Sequence, residues 1–295
     1  MPDIQAIVTA TFSRRMRIRL PDGSSASARI KGKQLKAVCG DRVVVEILTN
    51  EDDWLITAVR DRENELRRPN LRGGVEVLAA NIDLVLVVAA AIPRADWFVV
   101  DRYLCAAESM RARAAIIFNK TDLGGADSEF AEYEKIGYDT VSCSAATGKN
   151  VDQIGALVRQ QTAIIVGQSG VGKSSIINSL LGEESLRTAQ ISGKTSEGRH
   201  TTVNSEMLDL PGGGAIIDSP GVRDYAPALR DFSEVMQGFR EIASIGQKCR
   251  FTNCRHLREP GCAVKDAVST SIINPRRFES YRRLLALTEK LEQRR

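Results

Sequence analysis

The chain begins with short segments in which apolar and polar residues alternate. Met16-Arg17-Ile18-Arg19-Leu20 repeats with a period of two, the pattern of a strand with one basic face. Ala6 to Ala10, Ala26 to Ile30, Asp41 to Glu46 and Trp54 to Val59 read as further strands, joined by turns such as Pro21-Asp22-Gly23. Such strands predict a small closed β-barrel, with an OB-fold as first candidate, although periodicity alone does not separate it from an SH3-like barrel. Arg67 to Gly74 is a basic, Pro/Gly-marked connector. Beyond it, apolar runs at Asp83–Val88, Ala114–Phe118 and Ala163–Val166 alternate with helical patterns at Val100–Met110, Val151–Gln160 and Ser174–Leu181. That alternation predicts a multidomain α/β protein whose parallel sheet is covered on both faces. From about Pro227 the chain is helical and cysteine-bearing, and it ends in a basic helix. The expected domains are 1–66 (barrel), 67–226 (parallel sheet) and 227–295 (helical).

Length and composition change this picture little. A chain of 295 residues with 43% hydrophobic content buries a real core, which excludes disordered and fibrous classes. The formal charge of +4 is too small for composition alone to argue for nucleic acid. RNA contact would have to come from local patches: Arg14, Arg15, Arg17, Arg19, Arg29, Lys31, Lys33 and Lys36 in the barrel, and Arg276, Arg277, Arg282, Arg283, Arg294 and Arg295 at the C-terminus. Contact with phosphates at both patches predicts an affinity that falls steeply with salt. Met1-Pro2-Asp3-Ile4 does not read as a secretory signal, and the apolar run Leu84–Ile92 is too short to span a bilayer as a helix. A soluble, cytoplasmic monomer with no membrane partner is expected.

The chemistry starts at Gly167-Gln168-Ser169-Gly170-Val171-Gly172-Lys173-Ser174, which fits Gly-x-x-x-x-Gly-Lys-Ser/Thr and is followed by Ser175 at the start of a helix. Glycines let such a loop turn sharply and aim N–H groups at a phosphate; Lys173 adds charge toward the β and γ phosphates, and the Ser174 hydroxyl is placed for Mg²⁺. Upstream, Asn119-Lys120-Thr121-Asp122 ends a buried strand and has the form of a guanine-reading segment. An ionised Asp122 accepts from the guanine ring N–H and amine, donors that adenine lacks there. Ser144-Ala145 ends the next strand and resembles a second base-reading segment. Asp218-Ser219-Pro220-Gly221 follows an apolar strand, with Asp218 expected to hold Mg²⁺ through water and the Gly221 N–H to sense the γ-phosphate. Thr201 or Thr202, in the polar stretch 193–202, would complete the Mg²⁺ shell. Val222 stands where many GTPases carry a water-orienting glutamine, so His200 becomes the candidate for orienting the attacking water. The base-reading segment precedes the phosphate loop, the reverse of the ordinary order, which implies a circular permutation.

Cys249-x4-Cys254-x-His256-x5-Cys262 supplies three thiols and one imidazole, the ligand set of a closed structural Zn²⁺ site. Taken in order, these motifs resemble the ribosome small-subunit-dependent GTPase A (RsgA) family over essentially the whole chain. The resemblance implies an OB-fold, a circularly permuted GTPase domain and a zinc-binding helical domain. It also implies GTP and GDP as ligands, the small ribosomal subunit and its 16S rRNA as partners, subunit-stimulated hydrolysis, and a role in late subunit maturation. Two other classes fit parts of the pattern: an rRNA-binding scaffold in which nucleotide is mainly structural, and a P-loop kinase or ATPase, with which Asp122 conflicts. The short path from Asp218 to residue 227 suggests that the γ-phosphate state repositions the zinc domain.

Overall fold

The computed structural model describes residues 4–12, 15–32, 34–47, 53–69, 74–125, 128–192, 205–219, 227–229 and 231–293, with side chains described outside 183–192. Strands β1 (Ile4–Thr11), β2 (Met16–Arg19), β3 (Ser25–Ile30), β4 (Arg42–Ile47) and β5 (Trp54–Val59) form the N-terminal unit. Their order is β1-β2-β3-β5-β4, and β1 pairs back to β4, so the sheet closes on itself. The β3–β5 pairing is parallel and the others are antiparallel, which makes this an OB-like five-stranded barrel. The alternating residues Val8, Ile18, Ala28, Val43, Val45 and Ile56 fill its interior.

A hairpin of β6 (Glu65–Pro69) and β7 (Val75–Ala80) follows. Arg67, Arg68 and Pro69, expected in a connector, are therefore strand residues; Arg67 is held by Glu65 and Arg68 by Glu76. The chain continues through β8 (Leu84–Ala90), α1 (Trp97–Met110), β9 (Arg113–Asn119), α2 (Ser128–Lys135), β10 (Asp139–Ser142), α3 (Val151–Val158) and β11 (Thr162–Gly167). Next come α4 (Lys173–Ser192), interrupted at Gly182 with φ 71°, then β12 (Ser205–Asp209) and β13 (Ala215–Asp218). Strands β10, β9, β8, β11 and β13 run parallel. Every residue of β8 is buried, and its period-two pattern divides them between the two faces. Val85, Val87 and Ala89 meet Tyr103, Leu104 and Phe118, while Leu84, Leu86 and Val88 meet Ile154, Val158 and Ile176.

The barrel is not a separate body hung on a linker. β12 pairs antiparallel with β13 on one side and with β1 on the other, giving one continuous sheet of 11 strands. Ion pairs reinforce the seam: Arg17 with Glu206 at 2.7 Å, and Arg19 with Asp209. Arg15 and Arg29 pair with Asp53. Much of the positive charge expected on the barrel is thus matched by carboxylates, whereas Lys31 and Lys36 are exposed.

The remaining helices are α5 (Phe232–Gln237), α6 (Arg240–Gly246), α7 (Ala263–Ser269) and α8 (Pro275–Glu292), around a core that includes Val235, Phe239, Ile242, Tyr281 and Leu284. Cys105 of α1 belongs to that core, and Gly238 packs so closely on it that an added Cβ would lie 2.0 Å from its Sγ. Of the C-terminal arginines expected to face RNA, Arg276 and Arg277 turn inward instead. Arg277 is fully buried and Arg276 partly so; they bond Asp101 at 2.6 and 2.5 Å and reach Glu241 and Glu129. Arg282 and Arg283 both pair with Glu279, and Arg283 lies 3.9 Å from the centre of the Phe98 ring. A helix whose cations face α1 docks onto it, because burying charge is tolerable only with partners. Arg294 and Arg295 lie outside the described residues, as do Arg14 and Lys33.

Candidate functional site

The phosphate loop joins β11 to α4 at the carboxyl end of the parallel strands, where open α/β sheets place ligands. Two of its glycines are required by space as well as by conformation. At Gly167 (φ 138°) a Cβ would lie 2.2 Å from the Val88 carbonyl oxygen; at Gly172 (φ 96°) it would lie 2.3 Å from the Asn119 side-chain nitrogen. The Lys173 ammonium donates to the carbonyls of Gly167 and Gln168 at 2.9 and 3.0 Å, which holds its charge over the loop. Ser169, Gly170, Ser174 and Ser175 are exposed, and Val171 is buried beneath them. The Gln168 side-chain oxygen accepts from the Asp96 N–H at 3.3 Å, so the loop before α1 borders the phosphate loop.

Asn119 ends β9, Lys120, Thr121 and Asp122 follow it, and the segment is tied to the phosphate loop. Asn119 is buried; its amide donates to the Val171 carbonyl at 2.9 Å and its oxygen accepts from the Ala145 N–H at 3.0 Å. One side chain therefore joins all three loops. Lys120, with φ 63°, donates to the Gly170 carbonyl at 2.6 Å. Thr121 donates through its hydroxyl to the Cys143 carbonyl. The Ser144 hydroxyl donates to Asp122 Oδ1 at 2.5 Å, orienting an exposed carboxylate whose other oxygen is open to a donor. That hydroxyl role is not legible in the sequence, which shows only that Ser144 stands at a strand end.

Asp218 ends β13 beside Ser219, whose hydroxyl lies 3.2 Å from that of Ser205. Burial raises the Asp218 carboxyl, Lys173 opposes the shift and Glu206 adds to it. The structure thus brings Asp218 into the field of the phosphate-loop lysine. His200, Thr201, Thr202 and Gly221 lie outside the described residues.

The second cluster is in the helical region. His256 Nδ1 is 3.5 Å from Cys249 Sγ and 3.4 Å from Cys262 Sγ, the two sulfurs are 3.9 Å apart, and all four donor atoms, including that of Cys254, lie within 4.8 Å of one another. A tetrahedral Zn²⁺ with bonds of about 2.3 Å to sulfur and 2.0 Å to nitrogen places its ligands roughly 3.5–3.8 Å apart. The residues fit such an ion. His256 takes φ 61° to turn its ring inward, and Gly246 makes room for it, since a Cβ there would lie 3.1 Å from Nε2. Tyr281 closes one side and donates to the Arg255 carbonyl at 3.0 Å. Burial lowers the His256 imidazole, keeping it in the neutral form that binds metal.

The family model for the RsgA GTPase matches residues 59–227. The chain belongs to the RsgA GTPase family. Among relatives of the RsgA family, the small ribosomal subunit biogenesis GTPase RsgA of Mannheimia succiniciproducens is 36% identical over 292 residues, covering 96% of this chain and 83% of that protein. Its namesake from Azotobacter vinelandii is 37% identical over 295 residues, covering 97% and 86%. The crystal structure of YjeQ from Thermotoga maritima superposes with a TM-score of 0.73 at 26% identity, covering 97% of this chain and 98% of that one. YloQ, described as a circularly permuted GTPase, shares the fold with a TM-score of 0.72 at 23% identity, over 97% of this chain and 95% of its own. RsgA-family membership makes the chain a GTP-hydrolysing enzyme with a circularly permuted GTPase fold, and GTP in such enzymes is bound with Mg²⁺.

Proposed function

We propose that this GTPase binds the small ribosomal subunit, acts in its late maturation, and uses subunit-stimulated GTP hydrolysis to time its release. The observation that carries the nucleotide half is Asn119, which joins the phosphate loop and both base-reading loops although they come in inverted order. The names of the RsgA relatives supply the ribosomal half. In this reading Asp122, oriented by Ser144, accepts from the guanine edge, while Asn119, Lys120 and Thr121 hold the loops around the base. Ser144 and Ala145 form the second base-reading loop, from which a backbone N–H would meet the guanine carbonyl, and residues 167–175 would cradle the phosphates.

Lys173 leaves its two loop carbonyls to meet the β and γ phosphates, and so stabilises charge that develops during transfer. Ser174, Asp218 and one of Thr201 or Thr202 would hold Mg²⁺, which when bound neutralises phosphate charge. Gly221 would sense the γ-phosphate, and His200 would orient or deprotonate the attacking water. Cys249, Cys254, His256 and Cys262 would hold one structural Zn²⁺.

The proposed domains are 1–66, 67–226 and 227–295, in a cytoplasmic monomer. Among the described residues no helix is long and apolar enough to cross a membrane. Exposed Lys31 and Lys36 are the barrel cations best disposed toward rRNA phosphates. Co-sedimentation with small subunits tests the timing: binding should be strong with a non-hydrolysable GTP analogue and weak with GDP. Equal binding in both states would favour the scaffold reading.

A further inference from the structure

One rung of the continuous sheet crosses the junction between the barrel and the GTPase. Arg17 on β2, Ala10 on β1, Glu206 on β12 and Asp218 on β13 are Cα partners in successive antiparallel pairs. Directly opposed residues project from the same face of such a pair. Arg17 and Glu206 are two strands apart, about 9–10 Å at the backbone. Their side chains meet because the residue between them is alanine: Ala10 is fully buried and too short to separate them, and Arg17 Nη1 reaches Glu206 Oε1 at 2.7 Å. On its other side Glu206 neighbours Asp218, with Lys173 also acting on that carboxylate.

The rung thus lines up charge across the junction: a barrel cation, a carboxylate, then the carboxylate assigned to Mg²⁺. Arg17 offsets the charge of Glu206 and draws it toward the barrel. The pair is partly open to solvent, with 41% of the Arg17 side chain and 33% of that of Glu206 exposed. A nucleic-acid phosphate can therefore compete for Arg17, which also lies 5.7 Å from the centre of the Phe12 ring. β12 joins the segments carrying the switch threonines and Asp218, so whatever the barrel does to Glu206 is done between the two.

We propose that Glu206 is a positioning residue for the magnesium side of the nucleotide site, and that Arg17 is the group through which the barrel controls it. When an RNA phosphate takes Arg17, the Glu206 carboxylate is left unmatched beside Asp218 and its charge draws Mg²⁺ more tightly. The inference rests on the reading of Asp218 as a Mg²⁺ residue.

The test titrates the full chain, loaded with fluorescent GDP, with Mg²⁺ and reads the half-saturating concentration. Arg17→Ala should lower it by about threefold to tenfold, the effect of the freed Glu206 charge turning toward a divalent ion screened as in water. Glu206→Gln should raise it and abolish the effect of Arg17→Ala. Arg19→Ala breaks the other seam pair, whose Asp209 faces Ala215 instead of Asp218, and should leave it unchanged. A short single-stranded RNA at matched free Mg²⁺ should reproduce the shift in the parent and not in Arg17→Ala. The proposal is overturned if Arg17→Ala has no effect, acts equally with Gln at 206, or is matched by Arg19→Ala, or if bound RNA shifts nothing. Asp218→Asn separates the premise: unchanged Mg²⁺ dependence there overturns the reading of Asp218, whereas its loss without an Arg17 effect overturns the coupling alone.

Discussion

Arg277 of the C-terminal helix is buried against Asp101 of α1, with Nη1 2.6 Å from Oδ1, and so ties the helical region that carries the Cys/His cluster to the GTPase sheet. Asp101 also accepts from Arg276 and from the Tyr133 hydroxyl, both at 2.5 Å. Removing Asp101 leaves a buried guanidinium half matched, so Asp101→Ala should destabilise the protein by about 3–5 kcal/mol in urea denaturation. Burial alone would raise the Asp101 carboxyl, but Arg277 and Arg276 outweigh it and hold it below the ordinary value. A depressed folded-state pKa means that this stabilisation is complete above the unfolded value of about 3.9 and fades as pH falls through the lower folded value. The stability of the parent attributable to this pair should be constant from about pH 7 to pH 5 and decline only in stronger acid.

Gly246 against His256 is the point at which the metal cluster is most easily disturbed without touching a ligand. A methyl group in Gly246→Ala would press on the ring from 3.1 Å. Zinc release to a chelator should be accelerated on the order of tenfold or more, as for other changes next to metal ligands. Removing the metal from the parent should expose the amides of residues 249–262 to hydrogen exchange while those of β8 stay protected.

Gly172→Ala tests the bond that unites the nucleotide loops. Its Cβ would displace the Asn119 amide, which donates to Val171, and the buried amide left without its partner costs about 1–3 kcal/mol. Because Asn119 also receives the Ala145 N–H, guanine and phosphate contacts should weaken together. Fluorescent GTP and GDP should both lose at least about tenfold in affinity, the size of 1.4 kcal/mol.

Asp122→Asn changes the guanine reader and its support at once, since the carboxylate accepts from Ser144 at 2.5 Å. Loss of two hydrogen bonds to a charged group, at about 1.5–3 kcal/mol each, should weaken GTP by on the order of 10² to 10⁴. Xanthosine triphosphate, which presents an acceptor where guanine has the amine, should gain. Competition binding of the two nucleotides reads the exchange directly.

What could be read in the sequence was chemistry whose parts lie close together in the chain. Gly167 to Ser174, Asn119 to Asp122 and the Cys249–Cys262 cluster each carry their reason for existing in local spacing, and the structure assembles each of them. The barrel strands were also visible, because alternation survives in a half-buried sheet. Their order was not, since the parallel β3–β5 contact and the β1–β12 pairing join residues far apart in sequence. The C-terminal arginines show the same limit. A run such as Arg276-Arg277 looks like a solvated or RNA-facing surface until the partners, Asp101 and Glu129 on other helices, are in place. That latch also bears on how the switch segments could move the zinc region: the displacement expected from the short path after Asp218 would have to break Asp101 away from both arginines.

We infer that the nucleotide site belongs to a hydrolase governed by the small ribosomal subunit. GTP turnover by the full chain, measured at saturating nucleotide with and without purified small subunits, tests it most directly. Turnover should be slow alone, rise by at least about tenfold with small subunits, the step that a 1.4 kcal/mol fall in barrier gives, and show no such rise with large subunits. Turnover unchanged by small subunits would contradict it.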